Sequence, residues 1–201
     1  MNNLVSVIKK VLLILPVFVF ITPVPVHAHL IGGGGLSNGI THPFIGLDHL
    51  LIMIVVGIVS RRKGGNFTWQ APILFAVCTI IGGAFGMKGF RFINVESMIA
   101  VSVLMLGVLI SYVRNIPSLI AFVSIAAMAL IQGHIHGGEV PFLAQPVQYV
   151  IGYTLSTFLL HGSGVLFAAY VEHDRKRIPL FRYASIAVSI VGVFLLKNTF
   201  T

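Results

Sequence analysis

The residue types that bind transition metals are concentrated in three short segments of this 201-residue chain. They are, in chain order, His42, Asp48, His49, His134, His136, Glu139 and His161. Imidazole and carboxylate ligands without thiolate suit nickel, cobalt, zinc or copper(II), whereas calcium and magnesium prefer a shell of oxygen ligands. Cys78 is the only cysteine, so a cysteine-based metal site and an intrachain disulfide are both excluded.

The first segment holds three of these residues, His42, Asp48 and His49. Pro43 suits the first position of a helix, which predicts that a helix begins at His42 and carries Asp48 and His49 about two turns further in. In a regular helix His42 and His49 share a face but lie roughly 10 Å apart along the axis, too far for one ion. Either the helix starts late or there are two separate stations.

Asp48 is expensive to bury inside an apolar span unless it has a partner. A metal cation is one such partner, and a hydrogen bond to a histidine that ties two helices together is the other. The sequence leaves both alternatives open.

The second and third segments are less specific. His134 and His136 point the same way in an extended segment but about 200° apart in a helix. Gly137 and Gly138 favour a helix end at this point, and an exposed polar loop is the alternative to a metal site. His161, flanked by glycine-rich sequence, is either a ligand along a metal pathway or a core histidine hydrogen-bonded across helices.

The elements that must position these residues are transmembrane helices. Hydrophobic residues make up 57% of the chain and charged residues 9%, with a mean hydropathy of +0.99. A water-soluble surface cannot carry this composition, which predicts an all-α polytopic membrane helix bundle of about six spans. Apolar runs predict spans at about residues 43–60, 68–87, 95–113, 117–133, 146–171 and 180–196.

Residues 1–28 have the pattern of a signal peptide. Lys9 and Lys10 precede an apolar stretch over residues 11–21, and Ala28 ends a small-residue cleavage site. An uncleaved anchor helix is the alternative. Cleavage leaves residues 29–201 as a single transmembrane domain that begins at His29, whose free amine and imidazole are a further candidate metal ligand.

The basic residues predict the orientation of the chain. Eight of them follow the first, third and fifth spans: Arg61, Arg62, Lys63, Arg114, Arg175, Lys176, Arg177 and Arg182. Only Lys88, Arg91 and Lys197 fall on the opposite side. The positive-inside rule therefore predicts a bacterial inner-membrane protein whose mature N-terminus and histidine segments face outward. These basic residues form no patch interleaved with aromatics, so no nucleic-acid partner is predicted.

On these residues the sequence resembles the HupE/UreJ membrane proteins, small polytopic proteins associated with nickel-enzyme systems and regarded as nickel or cobalt permeases. The resemblance is carried by residues 42–49, with Met53 and Gly57 after them, and by residues 134–139 and 160–164. It implies transport of a transition-metal ion, most of all nickel, without a catalytic cofactor. The site residues that it implies are His42, Asp48, His49, His134, His136, Glu139 and His161.

Three classes of function fit these residues. The first is a permease or facilitated channel for a divalent metal ion, because the chain lacks a phosphate-binding loop with which to hydrolyse a nucleotide. The second is a non-transporting membrane protein that binds metal and passes it to metalloenzyme-maturation partners. The third is an intramembrane zinc hydrolase with Asp48 or Glu139 as base, although the chain has no H-E-x-x-H motif. We expect the first, embedded in a lipid bilayer, with a homo-oligomer left open.

Overall fold

The computed structural model describes residues 35–89, 94–139 and 145–200, and every regular element in these ranges is a helix. The signal-peptide prediction for residues 1–28 and the candidate ligand His29 lie outside them. The helices are α1 (Gly35–Ile45), α2 (Leu47–Lys63), α3 (Phe67–Met87), α4 (Val95–Tyr112), α5 (Ser118–Glu139), α6 (Pro146–Glu172) and α7 (Pro179–Asn198). A short 3₁₀ helix (Arg175–Arg177) precedes α7.

The helices confirm the prediction of an all-α membrane bundle with about six spans. Five of them, α3 to α7, are long and apolar enough to cross a bilayer, and α1 with α2 forms a sixth, bent span. The apolar runs predicted the bounds of α3, α4, α6 and α7 to within two residues. Large hydrophobic side chains lie exposed on the outer faces of these helices, which is expected where lipid replaces water as the solvent.

The first span differs from its prediction. Its helix begins at Gly35, so Pro43 lies inside α1 and the expectation that a helix starts at His42 is wrong. Proline lacks an amide hydrogen and its ring collides with the preceding turn, so it weakens a helix interior. Three residues later Gly46 is extended, with φ −92° and ψ 121°, and α2 leaves at 84° to α1.

The fourth predicted span also differs. We expected Gly137 and Gly138 to end the helix, but α5 continues through both to Glu139. The reason is packing, since α5 lies very close to α3 along this stretch. A Cβ atom on Gly137 would lie 2.0 Å from the Gly83 carbonyl oxygen. Glycine is present here because it lets two helix backbones approach each other.

The same device joins α2 to α6. A Cβ atom on Gly57 would lie 2.0 Å from the carbonyl oxygen of His161, and one on Gly164 would lie 2.0 Å from that of Ile54. The two glycines are therefore reciprocal, each accommodating the backbone of the other helix. Such contacts drive helix association in a bilayer, where burial of apolar surface gives little advantage.

We expect Gly57→Ala to lower the free energy of unfolding by roughly 1–3 kcal/mol, because the added methyl group meets backbone that cannot rotate away. Gly162→Ala is the matched control, since it also lies in a helix and its Cβ would meet nothing within 4 Å. Thermal unfolding in detergent measures the difference. Equal midpoints for the two variants would contradict the close packing of α2 on α6.

Charged residues join the helices at one end of the bundle, which we call the basic end. There Glu172, at the end of α6, lies 3.2 Å from Arg61 of α2 and 2.7 Å from Arg114, just beyond α4. Exposed Trp69 and Tyr183, near the starts of α3 and α7, lie at the same end, as aromatic residues do at membrane interfaces. The basic end is thus one membrane boundary, and the candidate ligands of α1, α2 and α5 lie toward the other, which we call the histidine end.

Candidate metal centre

Three histidines from three helices meet at the histidine end. His42 of α1, His49 of α2 and His136 of α5 each offer a ring nitrogen, and these nitrogens all lie within 4.8 Å of one another. His42 Nε2 and His136 Nδ1 are 2.8 Å apart, and the ring centroids of His49 and His136 are 4.4 Å apart. We call these three residues the histidine triad. His136 is buried, and the other two are partly exposed.

The bend between α1 and α2 makes this triad possible. In one regular helix His42 and His49 would be separated by about 10 Å along the axis. Because the chain turns by 84° at Gly46, the two rings instead come within 6.0 Å of each other, centroid to centroid. With this bend, His42 and His49 can belong to one metal site. The two separate sites that a regular helix would require are therefore not needed.

Asp48 supports the triad from beside it. One of its carboxylate oxygens lies 2.9 Å from Nδ1 of His49, its neighbour in the chain. A carboxylate at this nitrogen favours the tautomer with a proton on Nδ1, which leaves Nε2 bare for a ligand. This pair lies within α2, so it is not the hydrogen bond between two helices that the sequence offered as the alternative to a metal.

The candidate ligands between residues 134 and 139 do not all reach the triad, because this segment is helical. Because α5 continues through it, His136 faces the triad while His134 lies on another side of the helix, buried and outside the triad. Glu139 is the last residue of α5, and its side chain lies outside the described part of the structure.

Two tyrosines of α6 form a wall against the triad that the sequence did not single out. Tyr153 lies with its ring centroid 4.7 Å from that of His136, and Tyr149 lies 5.8 Å from His42. Both are buried and stand one helical turn apart, with their rings stacked at 6.3 Å. Their four-residue spacing was the available signal, but such spacing is equally typical of core packing.

A cavity of about 190 Å³ adjoins Asp48. It is lined by Asp48, Glu96, Ile99, Leu195, Asn198 and Thr199, from α2, α4, α7 and the residue that follows α7. Two carboxylates in one cleft create a negative potential that attracts cations. Glu96, near the start of α4, thus shares a cavity with Asp48.

His161 and Gln132 are buried deeper in the bundle, each with 1% of its surface exposed. The ring of His161 meets that of Phe75 edge to face at 5.0 Å. Neither ring nitrogen of His161 has a hydrogen-bond partner within the described ranges, so the cross-helix hydrogen bond considered above is not found there. The side-chain amide of Gln132 likewise has none among those residues.

The triad has the chemistry of a site for a borderline metal ion. At metal–nitrogen bonds of about 2.1 Å, the ligand nitrogens of a tetrahedral site lie about 3.4 Å apart, so a pair separated by 4.8 Å has to close by about 1.4 Å to bind one ion. Histidine nitrogens with no thiolate suit nickel, cobalt, copper(II) or zinc. Such a site, held by three protein ligands, leaves positions for water or for a further ligand.

Comparison with known proteins agrees with these observations. Over 171 aligned residues the chain is 35% identical to Protein HupE of Rhizobium leguminosarum bv. viciae. The aligned region covers 85% of this chain and 89% of that protein. No solved structure matches the chain significantly. The family model described as HupE / UreJ protein matches residues 16–195. The resemblance predicted from the three motifs is therefore confirmed, and the chain belongs to the HupE/UreJ family of membrane proteins.

Proposed function

We propose that this protein transports a divalent transition-metal ion across the bacterial inner membrane, with nickel as the first candidate and cobalt as the second. The observation that carries the proposal is the convergence of three histidine nitrogens within 4.8 Å at one end of an apolar helix bundle. Membership of the HupE/UreJ family favours nickel and cobalt over copper and zinc, which the same ligands also suit.

In this proposal the triad captures the ion from the outer side. The support is the charge asymmetry, since basic residues cluster at the opposite end of the bundle and the positive-inside rule assigns that end to the cytoplasm. Residues 1–28 are then a signal peptide and residues 29–201 one transmembrane domain. An alkaline phosphatase fused after Thr201 should be active, and an inactive fusion with a bright cytoplasmic reporter would reverse the orientation.

The two other classes of function are less well supported. For a hydrolase, the carboxylate of Asp48 is paired with His49, and the side chain of Glu139, the other candidate base, lies outside the described part of the structure. The proposal therefore assigns no catalysis and no catalytic cofactor to the chain. A non-transporting protein that hands metal to maturation partners needs only the triad, and buried polar groups below it favour transport.

Accumulation of radioactive nickel by cells tests the proposal. Cells that make the protein should take up more ⁶³Ni²⁺ than cells without it, and unlabelled cobalt should compete better than zinc or copper. Accumulation that is the same with and without the protein, at confirmed membrane levels, would refute transport. Binding of nickel by purified protein without accumulation would favour the non-transporting alternative.

We predict that Gly46→Ala lowers nickel affinity by about tenfold while the protein remains folded. The backbone angles at Gly46 suit alanine, but a Cβ atom would lie 2.9 Å from the Asp48 carboxylate and 3.3 Å from Nδ1 of His49. These side chains can move aside, and in doing so they leave the positions that hold the triad.

Gly138→Ala is the control for this prediction, because its Cβ would meet nothing within 4 Å at the same end of the bundle. Titration of the purified variants with Ni²⁺ gives the affinities. Equal affinities for the Gly46 and Gly138 variants would show that the bend does not position the ligands.

A further inference from the structure

We propose that the metal path continues from the triad to a second station at His161, with Gln132 lying between the two. This inference rests on the proposed transport function and adds an inner binding step to it. The residues concerned belong to α5 and α6 and are buried between the two ends of the bundle.

The first support is the polar groups themselves. His161 and Gln132 are each 1% exposed, and together they present four nitrogen and oxygen atoms without a hydrogen-bond partner among the residues described. Buried polar groups are normally hydrogen-bonded, and leaving one unsatisfied costs about 1–3 kcal/mol. In the proposed path, a passing cation with its water supplies the missing partner of each group.

The second support is the depth of His161 below the triad, for which α6 and α2 give the same value. Along α6, His161 follows Tyr153, which contacts His136, by eight residues, or roughly 12 Å. Along α2, Gly57 packs against the His161 carbonyl and follows His49 by eight residues, again roughly 12 Å. His161 therefore lies about 12 Å below the triad, well inside a hydrocarbon core of about 30 Å.

The gap between the two stations also carries potential ligands. Gln132 precedes His136 by four residues on α5, which places it one turn, roughly 6 Å, below the triad and on the same helix face. Met53 follows His49 by four residues on α2 at the same depth, and its side chain is fully buried. An amide and a thioether thus stand midway along the 12 Å.

The inner station is built to bind more weakly than the triad. It has one imidazole, whose ring packs perpendicular to that of Phe75, and the close glycine contacts of α2 and α6 fix the backbone beside it. A transport path needs sites that an ion enters readily and leaves readily, so a weaker inner site lets an ion captured at the triad be released on the far side when the ion gradient favours it.

Substitution of His161 by valine and by cysteine tests this step in proteoliposomes that contain the full-length chain, under reducing conditions. His161→Val removes the ligand, whereas His161→Cys, although smaller, supplies a sulfur ligand. With ⁶³Ni²⁺ alone, we expect the valine variant to lose at least about tenfold in uptake rate and the cysteine variant to retain a third or more. Equilibrium nickel affinity should stay within about twofold of wild type in both, because the triad is intact.

Three results would overturn the inner station. They are uptake by the valine variant at the wild-type rate, an equal loss in the valine and cysteine variants, and a loss of nickel affinity that parallels the loss of uptake. Gln132→Leu, of similar volume, provides a second variant if neither His161 variant folds, and wild-type uptake by it would also count against the path. No uptake by the wild-type protein would instead refute the proposed function itself, which is a different outcome.

Discussion

Replacing His136 with glutamine is expected to lower the affinity of the purified protein for Ni²⁺ by at least about 100-fold and to abolish uptake. His136 is the buried member of the triad and contacts both of the others, with its Nδ1 2.8 Å from His42 and its ring 4.4 Å from that of His49. Loss of a direct ligand should exceed the 10–100-fold cost of losing a group that only orients one. Glutamine keeps a polar side chain at this position, so the amount of folded protein should change little.

His134→Gln is the control, because His134 lies two residues away on the same helix, is similarly buried and is not part of the triad. Its nickel affinity should remain within about threefold of wild type. Both histidines belong to the segment on which the family resemblance rests. Comparing the two variants therefore shows whether nickel affinity depends on facing the triad or only on belonging to that segment. A large loss in the His134 variant with a small loss in the His136 variant would reverse the assignment.

The second large effect is expected for Asp48→Asn. The carboxylate lies 2.9 Å from His49 Nδ1, and we assign it the role of holding that ring in the tautomer and orientation that a metal requires. Asparagine keeps the shape and an accepting oxygen but loses the charge, so nickel affinity should fall by about 10–100-fold, with uptake per molecule reduced in parallel. The amount of protein in the membrane should stay close to that of wild type.

Asp174→Asn makes the same chemical change at the basic end, where Asp174 caps the 3₁₀ helix by accepting a hydrogen bond from the Lys176 amide. Uptake normalised to protein level should be unaffected there. If Asp48→Asn reduces the amount of folded protein while uptake per molecule is unchanged, then Asp48 is a structural residue and does not serve the metal site.

The sequence was sufficient to predict the spans because composition alone determines where a helix can lie in a bilayer. It did not predict the bend at Gly46, since a proline after a histidine is equally compatible with a helix start and with a weakened helix interior. A regular helix therefore predicted that His42 and His49 lie about 10 Å apart along the axis. In the structure their ring centroids are 6.0 Å apart.

The choice between His134 and His136 depends on tertiary structure. Gly137 is a helix-ending signal in isolation, but the close approach of α3 at Gly83 keeps it helical, and the helix then points the two histidines in different directions. In the same way, Tyr149 and Tyr153 become part of the candidate site only because α6 packs beside α1 and α5. Local sequence carries no information about these partners.

We expect one metal ion to be bound by the three histidines from α1, α2 and α5. Nickel X-ray absorption spectroscopy on the purified full-length chain, loaded with one Ni²⁺ per molecule, measures this directly. About three imidazole ligands per nickel are expected in the wild type and in His134→Gln, and about two with weaker binding in His136→Gln. A wild-type spectrum with fewer than two imidazoles, or an unchanged imidazole count in His136→Gln, would contradict it.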